Sequence, residues 1–147
     1  MLRVVVDANV FISGTICPKG SSAEILNSWR AGHFELVTCA AIISEVDEKL
    51  RLPRIRNKYS LRDEEVTDLV QQLWLASQLV PGTAPVNPLP PDSDDTMLLS
   101  AAIEAVAEYI VTGDKPLQSF PWRSSTRIVS PREFCESLAK HIAKQAP

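Results

Sequence analysis

Acidic residues follow or precede several apolar segments of this chain, at positions where they could carry out chemistry. Asp7 comes directly after the apolar run 2–6, and Asp114 closes the segment YIVTGD. The other acids of interest are Glu45 in SEVDEK and Asp92, Asp94 and Asp95 in DSDD. Carboxylates that lie close together repel one another, so they need raised pKa values or a cation to ionise together. Their oxygens suit Mg²⁺ or Mn²⁺, and such an ion holds phosphate oxygens and lowers the pKa of a bound water.

Each of these acids also has a purely structural interpretation. Asp7 could cap the end of a strand, and acids at 92–95 could cap a helix, where the helix dipole favours them. Asp114 follows Gly113 and could be an ordinary turn residue, and Glu45 could be a solvated charge on a helix. Only their convergence on one place in the fold would favour a functional site.

Helical and strand patterns alternate along the chain and place these acids. Short apolar runs predict strands at 2–6, 34–37, 79–80, 109–112 and 127–129. A helix is predicted at 22–31 after a Ser21–Glu24 capping box, and a second runs to about residue 50 with Thr38 as its cap. Three more helices are predicted to begin at Ser60, at Asp92 or Ser93, and at Pro131 after the cap Ser130. The predicted core stripes are Val66, Leu69, Val70, Leu73 and Trp74, and Leu98, Leu99, Ala102, Ile103 and Val106.

This alternation indicates an α/β fold with a central, mainly parallel sheet and helices on both faces. The 147 residues suit a single domain, 1–147, and the Pro-rich segment 81–91 is too short to separate two. Ligands of such sheets bind at the carboxyl ends of the strands. We therefore expect the acids from four regions of the chain to meet at one edge of the sheet.

Composition narrows the class of protein. Hydrophobic residues make up 45% and charged residues 22% of the chain, as in ordinary globular proteins. We find no signal peptide or membrane-spanning run, and the 3 cysteines are far apart, so a cytoplasmic protein is expected. The net charge of −3 does not by itself indicate a nucleic-acid binder.

The order and spacing of these motifs resemble those of the PIN-domain ribonucleases, of the kind found as toxins in VapBC-like toxin–antitoxin pairs. The similar segments are VVVDANVFISG, TCAAIISEVDEKL, DSDDTMLLSAAIEAVAEYIVTGDKPL and RIVSPREF. The resemblance covers nearly the whole chain, and it implies metal-dependent hydrolysis of RNA. An antitoxin partner, a homodimer and no membrane association are implied with it.

Carried over residue by residue, the resemblance implies a site made of Asp7, Glu45, Asp95 and Asp114, with Asp92 as an additional candidate. Asp7, Asp95 and Asp114 would hold Mg²⁺ or Mn²⁺, and Glu45 would complete the coordination or position the attacking water. Asn9 and Thr112 match polar positions beside the catalytic acids. The resemblance does not require a Ser or Cys nucleophile.

Residues 49–62, KLRLPRIRNKYSLR, are basic and uninterrupted by an acid. Arg54, Arg56 and Lys58 are candidates for holding RNA phosphates, with Tyr59 available to stack on a base. Two alternatives stay open for this segment. It could be a solvated face paired with the acids 63–65, or it could dock an acidic antitoxin segment.

Other functions fit less well. A haloacid-dehalogenase-type phosphatase needs a second acid two residues after the first, where this chain has Asn9. A response-regulator receiver needs paired acids that this chain lacks at its first strand. A non-catalytic PIN-like module that binds RNA or protein remains the alternative, and loss of metal-dependent cleavage in Asp7→Asn would distinguish the two.

Overall fold

A five-stranded, wholly parallel sheet organises the computed structural model, which describes residues 1–146. Pro147, the last residue of the expected domain, lies outside the described residues. The strands are β1 (Arg3–Val6), β2 (Glu35–Thr38), β3 (Gln78–Leu79), β4 (Tyr109–Val111) and β5 (Arg127–Val129), in the order β3-β2-β1-β4-β5. The chain runs outward from β1 to β3 and then returns to the other side of β1. The reversal leaves a crevice outside the ends of β1 and β4, where α/β sheets bind ligands.

Over residues 1–146, the helices are α1 (Ala8–Ile16), α2 (Ser21–Arg30), α3 (Ala40–Leu50), α4 (Pro53–Tyr59), α5 (Asp63–Leu75), α6 (Thr96–Ala105), α7 (Lys115–Gln118) and α8 (Pro131–Gln145). A 3₁₀ turn, Ser93–Asp95, precedes α6. Helix α6 packs on β1, β2 and β4, and α1 packs against α2 and α3. In this part of the chain, no helix is both long and apolar enough to cross a membrane.

The core surrounds the central strands. Val4, Val5 and Val6 are consecutive residues of β1 and all are fully buried. Because successive strand side chains point to opposite faces, both faces of the sheet must be covered. Phe134 of α8 makes edge-on contacts with Phe34 and with Tyr109 of β4. The predicted α/β architecture, with a parallel sheet between helices, is confirmed.

Three of the predicted helix caps are wrong. Helix α2 begins after Gly20, and no side chain caps it, so Ser21 is a helical residue rather than a cap. Thr38 is the last residue of β2, and Cys39 precedes α3. Ser60 ends α4 in a left-handed conformation, and α5 begins three residues later. The Ser130–Glu133 capping box of α8 is present in full.

Helices α1, α4 and α7 were not predicted. The segment that forms α1 is rich in β-branched residues and contains Gly14, which disfavour an isolated helix. Packing explains the glycine, because a Cβ on Gly14 would lie 2.7 Å from the carbonyl oxygen of Ser22 in α2. Helices α4 and α7 have only 7 and 4 residues, too few to show a hydrophobic period.

Three residues of the predicted core stripes lie at the surface instead. Trp74 is 44%, Ile103 is 42% and Val106 is 69% exposed. Val106 ends α6 in a left-handed conformation, which turns it out of the helical period. Trp74 stands at the edge of the buried face of α5, whose core contacts come from Val66, Leu69 and Leu73.

Candidate functional site

A polar cavity of about 510 Å³ is lined in part by residues that follow the neighbouring strands β1 and β4, and in part by residues of α3 and of the segment 92–98. Six carboxylate residues line it, namely Asp7, Glu45, Asp92, Asp94, Asp95 and Asp114. The other lining residues are Ala8, Asn9, Ile42, Lys49, Met97, Leu98 and Gly113. The structure thus brings the acids of four sequence regions into one cavity. Parallel strands end at the same edge of the sheet, which is why residues so far apart in sequence meet there.

Asp7 is held in place from two elements. Its carboxylate accepts a hydrogen bond of 2.8 Å from the Thr112 hydroxyl and one of 3.2 Å from the backbone N–H of Asn9. The second contact makes Asp7 the N-cap of α1. The Thr112 hydroxyl oxygen also accepts a hydrogen bond of 3.1 Å from the Asp114 backbone N–H. Thr112 is fully buried and does not line the cavity, so it supports both acids from behind.

Asp95 ends the 3₁₀ turn that leads into α6, and Asp92 caps the start of that turn. The Asp92 carboxylate accepts a hydrogen bond of 3.0 Å from the Asp94 backbone N–H, as expected for a cap. The pKa of Asp95 is raised from 3.8 to about 7, chiefly by burial and then by the charges of Asp114, Asp7 and Asp92. A hydrogen bond with the Asp114 side chain acts in the same direction. Asp95 therefore lies within reach of the acids at the ends of β1 and β4.

Helix α3 brings one acid and one base to the cavity. Glu45 and Lys49 are four residues apart, so they lie on one face of the helix. Lys49 Nζ lies 3.5 Å from Glu45 Oε1 and 3.4 Å from Asn9 Oδ1. Asn9 is on α1, so these contacts join the two helices across the cavity. Among the lining residues that the structure describes, Lys49 is the one cation.

The basic candidates Arg54, Arg56 and Lys58 lie on α4, outside the lining of the cavity. Helix α4 packs beside α3. Arg56 forms an ion pair of 2.9 Å with Asp63, so the proposed pairing with the acids at 63–65 occurs for this residue. Arg54 and Lys58 are exposed, and within residues 1–146 neither forms an ion pair with a carboxylate. Lys58 lies over the ring of Tyr59, 5.4 Å from its centre.

The donor set of the cavity fits a hard divalent cation. Carboxylate oxygens are the ligands that Mg²⁺ and Mn²⁺ prefer. The raised pKa of Asp95 reflects burial first and repulsion by Asp114, Asp7 and Asp92 second, and a bound cation would relieve that repulsion. Within residues 1–146, no three His, Cys, Asp or Glu side chains form a ready metal-ligand group. Asp7, Asp95 and Asp114 could hold the ion, with Glu45 and Asp92 beside them.

Sequence reasoning missed Lys49 as a residue of this cavity. It treated Lys49 as the beginning of the basic segment 49–62. The available signal was its spacing of four residues from Glu45, which places both side chains on the same face of a helix. His33 and His141 lie together in a separate groove with Met1.

Known proteins resemble this chain in sequence and in fold. The uncharacterized protein MJ1680 of Methanocaldococcus jannaschii is 28% identical over 150 residues, which cover 97% of this chain and 95% of that protein. A chain in the crystal structure of VapBC2 from Rickettsia felis bound to a DNA fragment from their promoter matches with a TM-score of 0.55. It is 12% identical, and the match covers 88% of this chain and 98% of that chain, which shows a shared fold. The family model of the PIN domain matches residues 3–116, a span that contains all six acids of the cavity. The chain therefore belongs to the PIN-domain family.

Proposed function

We propose that this protein is a metal-dependent endoribonuclease that hydrolyses RNA phosphodiester bonds with Mg²⁺ or Mn²⁺. The observation that carries the proposal is the single cavity shared by Asp7, Glu45, Asp95 and Asp114. PIN domains are generally nucleases and usually use divalent metals. A cavity lined by carboxylates would repel an RNA phosphate on its own, and a bound cation reverses that local charge.

The residues of the cavity have separate parts in this reaction. Asp7, Asp95 and Asp114 would hold the ion, and Glu45 would complete its coordination or position the attacking water. The ion, when bound, supplies a water of lowered pKa and neutralises charge on the phosphate. Thr112 and the Asn9 backbone hold the two oxygens of Asp7, so its carboxylate does not have to be reoriented when RNA binds.

The lining of the cavity also indicates what attacks the phosphate. Among the described residues, the lining includes no Ser, Cys or His that could serve as nucleophile or proton shuttle. Water is therefore the proposed nucleophile. Its attack breaks one phosphorus–oxygen bond and leaves a phosphate on one product and a hydroxyl on the other. Attack by the ribose 2′-hydroxyl would instead leave a 2′,3′-cyclic phosphate.

The proposal includes a place in a toxin–antitoxin pair, with this chain as the toxin. The likeness to the VapBC2 chain supports it. A homodimer is the proposed assembly, and Trp74 and Leu75 offer apolar surface at the end of α5, being 44% and 86% exposed. Light scattering during size-exclusion chromatography measures the assembly. A monomer of the wild type at micromolar concentration would contradict the dimer.

The experiment for the nuclease is cleavage of labelled single-stranded RNA with and without Mg²⁺ or Mn²⁺. Asp7→Asn and Asp95→Asn are the test variants, and Asp68→Asn is the matched control, since Asp68 is exposed on α5 and does not line the cavity. We expect metal-dependent cleavage by the wild type and the control, loss in both test variants, and linear phosphate ends.

Other results of this experiment would contradict the nuclease. Equal cleavage by all four proteins, with cyclic phosphate ends, would mark a contaminating ribonuclease. RNA binding without cleavage across a broad panel of sequences would favour the non-catalytic PIN-like module.

A further inference from the structure

Lys49 is a cation placed inside a cavity that is otherwise lined by acids. It lies on α3, one helical turn beyond Glu45, and its side chain is 42% exposed. The next basic residue along the chain, Arg51, faces elsewhere and forms ion pairs with Asp47 at 2.7 Å and with Asp63 at 3.4 Å. Lys49 therefore differs from the rest of the basic segment, because its charge is directed to the acidic cavity.

The contacts of Lys49 leave part of its bonding capacity free. Its ammonium has three donors, and its two partners, Asn9 Oδ1 and Glu45 Oε1, lie at 3.4 and 3.5 Å, which is long for a hydrogen bond. An exposed ion pair between residues four apart in a helix contributes little to stability. The position is therefore defined by α1 and α3, while at least one donor remains available to a molecule in the cavity.

A phosphodiester that enters this cavity meets six carboxylates and one protein cation. We propose that Lys49 Nζ binds a non-bridging oxygen of the RNA phosphate that occupies the cavity, an inference that rests on the proposed nuclease function. Asn9 holds the Lys49 ammonium on the α1 side. Glu45 can then turn toward the metal ion or the attacking water, while Lys49 turns toward the phosphate. Through Lys49, the RNA phosphate is bound in the same cavity as the acids.

A phosphate-binding Lys49 and a merely structural one predict different results. If Lys49 only held Glu45 in place, Lys49→Ala would weaken stabilisation by Mn²⁺ along with RNA cleavage. If Lys49 binds phosphate, Lys49→Ala removes a positive charge that opposes metal binding. Stabilisation by Mn²⁺ should then be equal to that of the wild type or larger, while RNA binding falls.

The main measurement is RNA binding in an Asp95→Asn background, which removes cleavage from the readout. Fluorescence anisotropy with a labelled single-stranded RNA is recorded over a range of salt concentrations. Lys49→Ala should reduce the slope of log K against log salt by about 0.7, the value for one contact to single-stranded nucleic acid. Lys49→Arg should keep the slope. Lys140→Ala, at an exposed position on α8, removes the same charge outside the cavity and should also keep it.

Cleavage in the otherwise wild-type protein is the second measurement. Lys49→Ala should lower kcat/KM by about 10- to 100-fold, less than the loss of a full oxyanion-hole donor. If Lys49→Ala changes neither the salt slope nor the cleavage rate, the phosphate-binding role of Lys49 is overturned while the nuclease proposal stands. A smaller rise in Tm with Mn²⁺ in Lys49→Ala than in the wild type would also overturn that role. A reduced slope in a protein that never cleaves RNA would support the phosphate contact and contradict the nuclease.

Discussion

The Thr112 hydroxyl donates a hydrogen bond of 2.8 Å to Asp7, a residue 105 positions away in the chain. Asp7 follows β1 and Thr112 follows β4, and the two strands are neighbours in the sheet. The same hydroxyl oxygen accepts a hydrogen bond from the Asp114 backbone. One buried threonine therefore couples the two acids that follow the central strands, and the orientation of both depends on it.

Replacing Thr112 with Val keeps the shape of the side chain and removes its hydroxyl. We expect the free energy of unfolding to fall by about 1–3 kcal/mol, the cost of leaving buried polar groups unpaired. We also expect kcat to fall about 10-fold or more, because Asp7 loses its fixed orientation. Thr112→Ser keeps the hydroxyl and should stay near the wild-type rate. Chemical denaturation and steady-state cleavage measure the two effects, and a Val variant with wild-type kcat would contradict the role.

The raised pKa of Asp95 predicts a pH dependence of stability. The pKa is about 7 in the folded protein against an ordinary 3.8, so the folded state binds more protons between these values. The stabilisation by the protonated form is complete below about pH 4 and is lost as the pH rises through about 7. Asp95→Asn cannot lose this stabilisation as the pH rises. In the absence of divalent metal, the Tm of Asp95→Asn should therefore exceed that of the wild type at pH 8.

The Asp95 experiment compares Tm from pH 5 to 8 in the wild type, Asp95→Asn and Asp68→Asn. The Asp95 side chain is only half-buried, so water screens its repulsion and we expect a gain of a few degrees at most. Asp68→Asn should follow the wild type. Parallel curves for all three proteins would show that Asp95 does not titrate in this range.

Divalent metal should stabilise the protein through the same acids. A ligand that binds the folded state alone adds about 2.7 kcal/mol at 100 times its Kd. For a chain of this size each kcal/mol raises Tm by about 2–4 °C or slightly more. We expect Mn²⁺ to raise the Tm of the wild type and of Asp68→Asn, and EDTA to reverse it. Asp114→Asn should lose most of the shift, and an equal shift in all proteins would place the metal elsewhere.

The basic helix α4 should bind RNA through the residues that are not already paired. We expect Arg54→Ala and Lys58→Ala each to reduce the salt slope of RNA binding by about 0.7. Arg56 is paired with Asp63, so Arg56→Ala should reduce the slope less and lower Tm slightly. Anisotropy titrations and thermal melts separate the two effects. Unchanged slopes for Arg54→Ala and Lys58→Ala would remove α4 from the RNA-binding surface and favour its use in docking a protein.

The elements that sequence analysis located have strong local signals. Helix α8 begins with a complete capping box, and β1 is a run of buried valines, so each element is specified by residues a few positions apart. Local signals were misleading at Thr38 and Ser60, which are common capping residues used here in a strand and in a left-handed turn. Helix α1 was missed because packing against α2, rather than propensity, stabilises it.

The acids of the site and their order along the chain follow from the sequence, as do the strands that precede Asp7 and Asp114. Their assembly does not, because the strand order β3-β2-β1-β4-β5 is set by packing between distant segments. The same packing decided that Lys49 reaches the cavity and that Trp74 lies at the surface. Propensity and periodicity report on neighbours within a few residues. The hydrogen bond between Thr112 and Asp7 exists only because two strands that are far apart in the chain lie side by side.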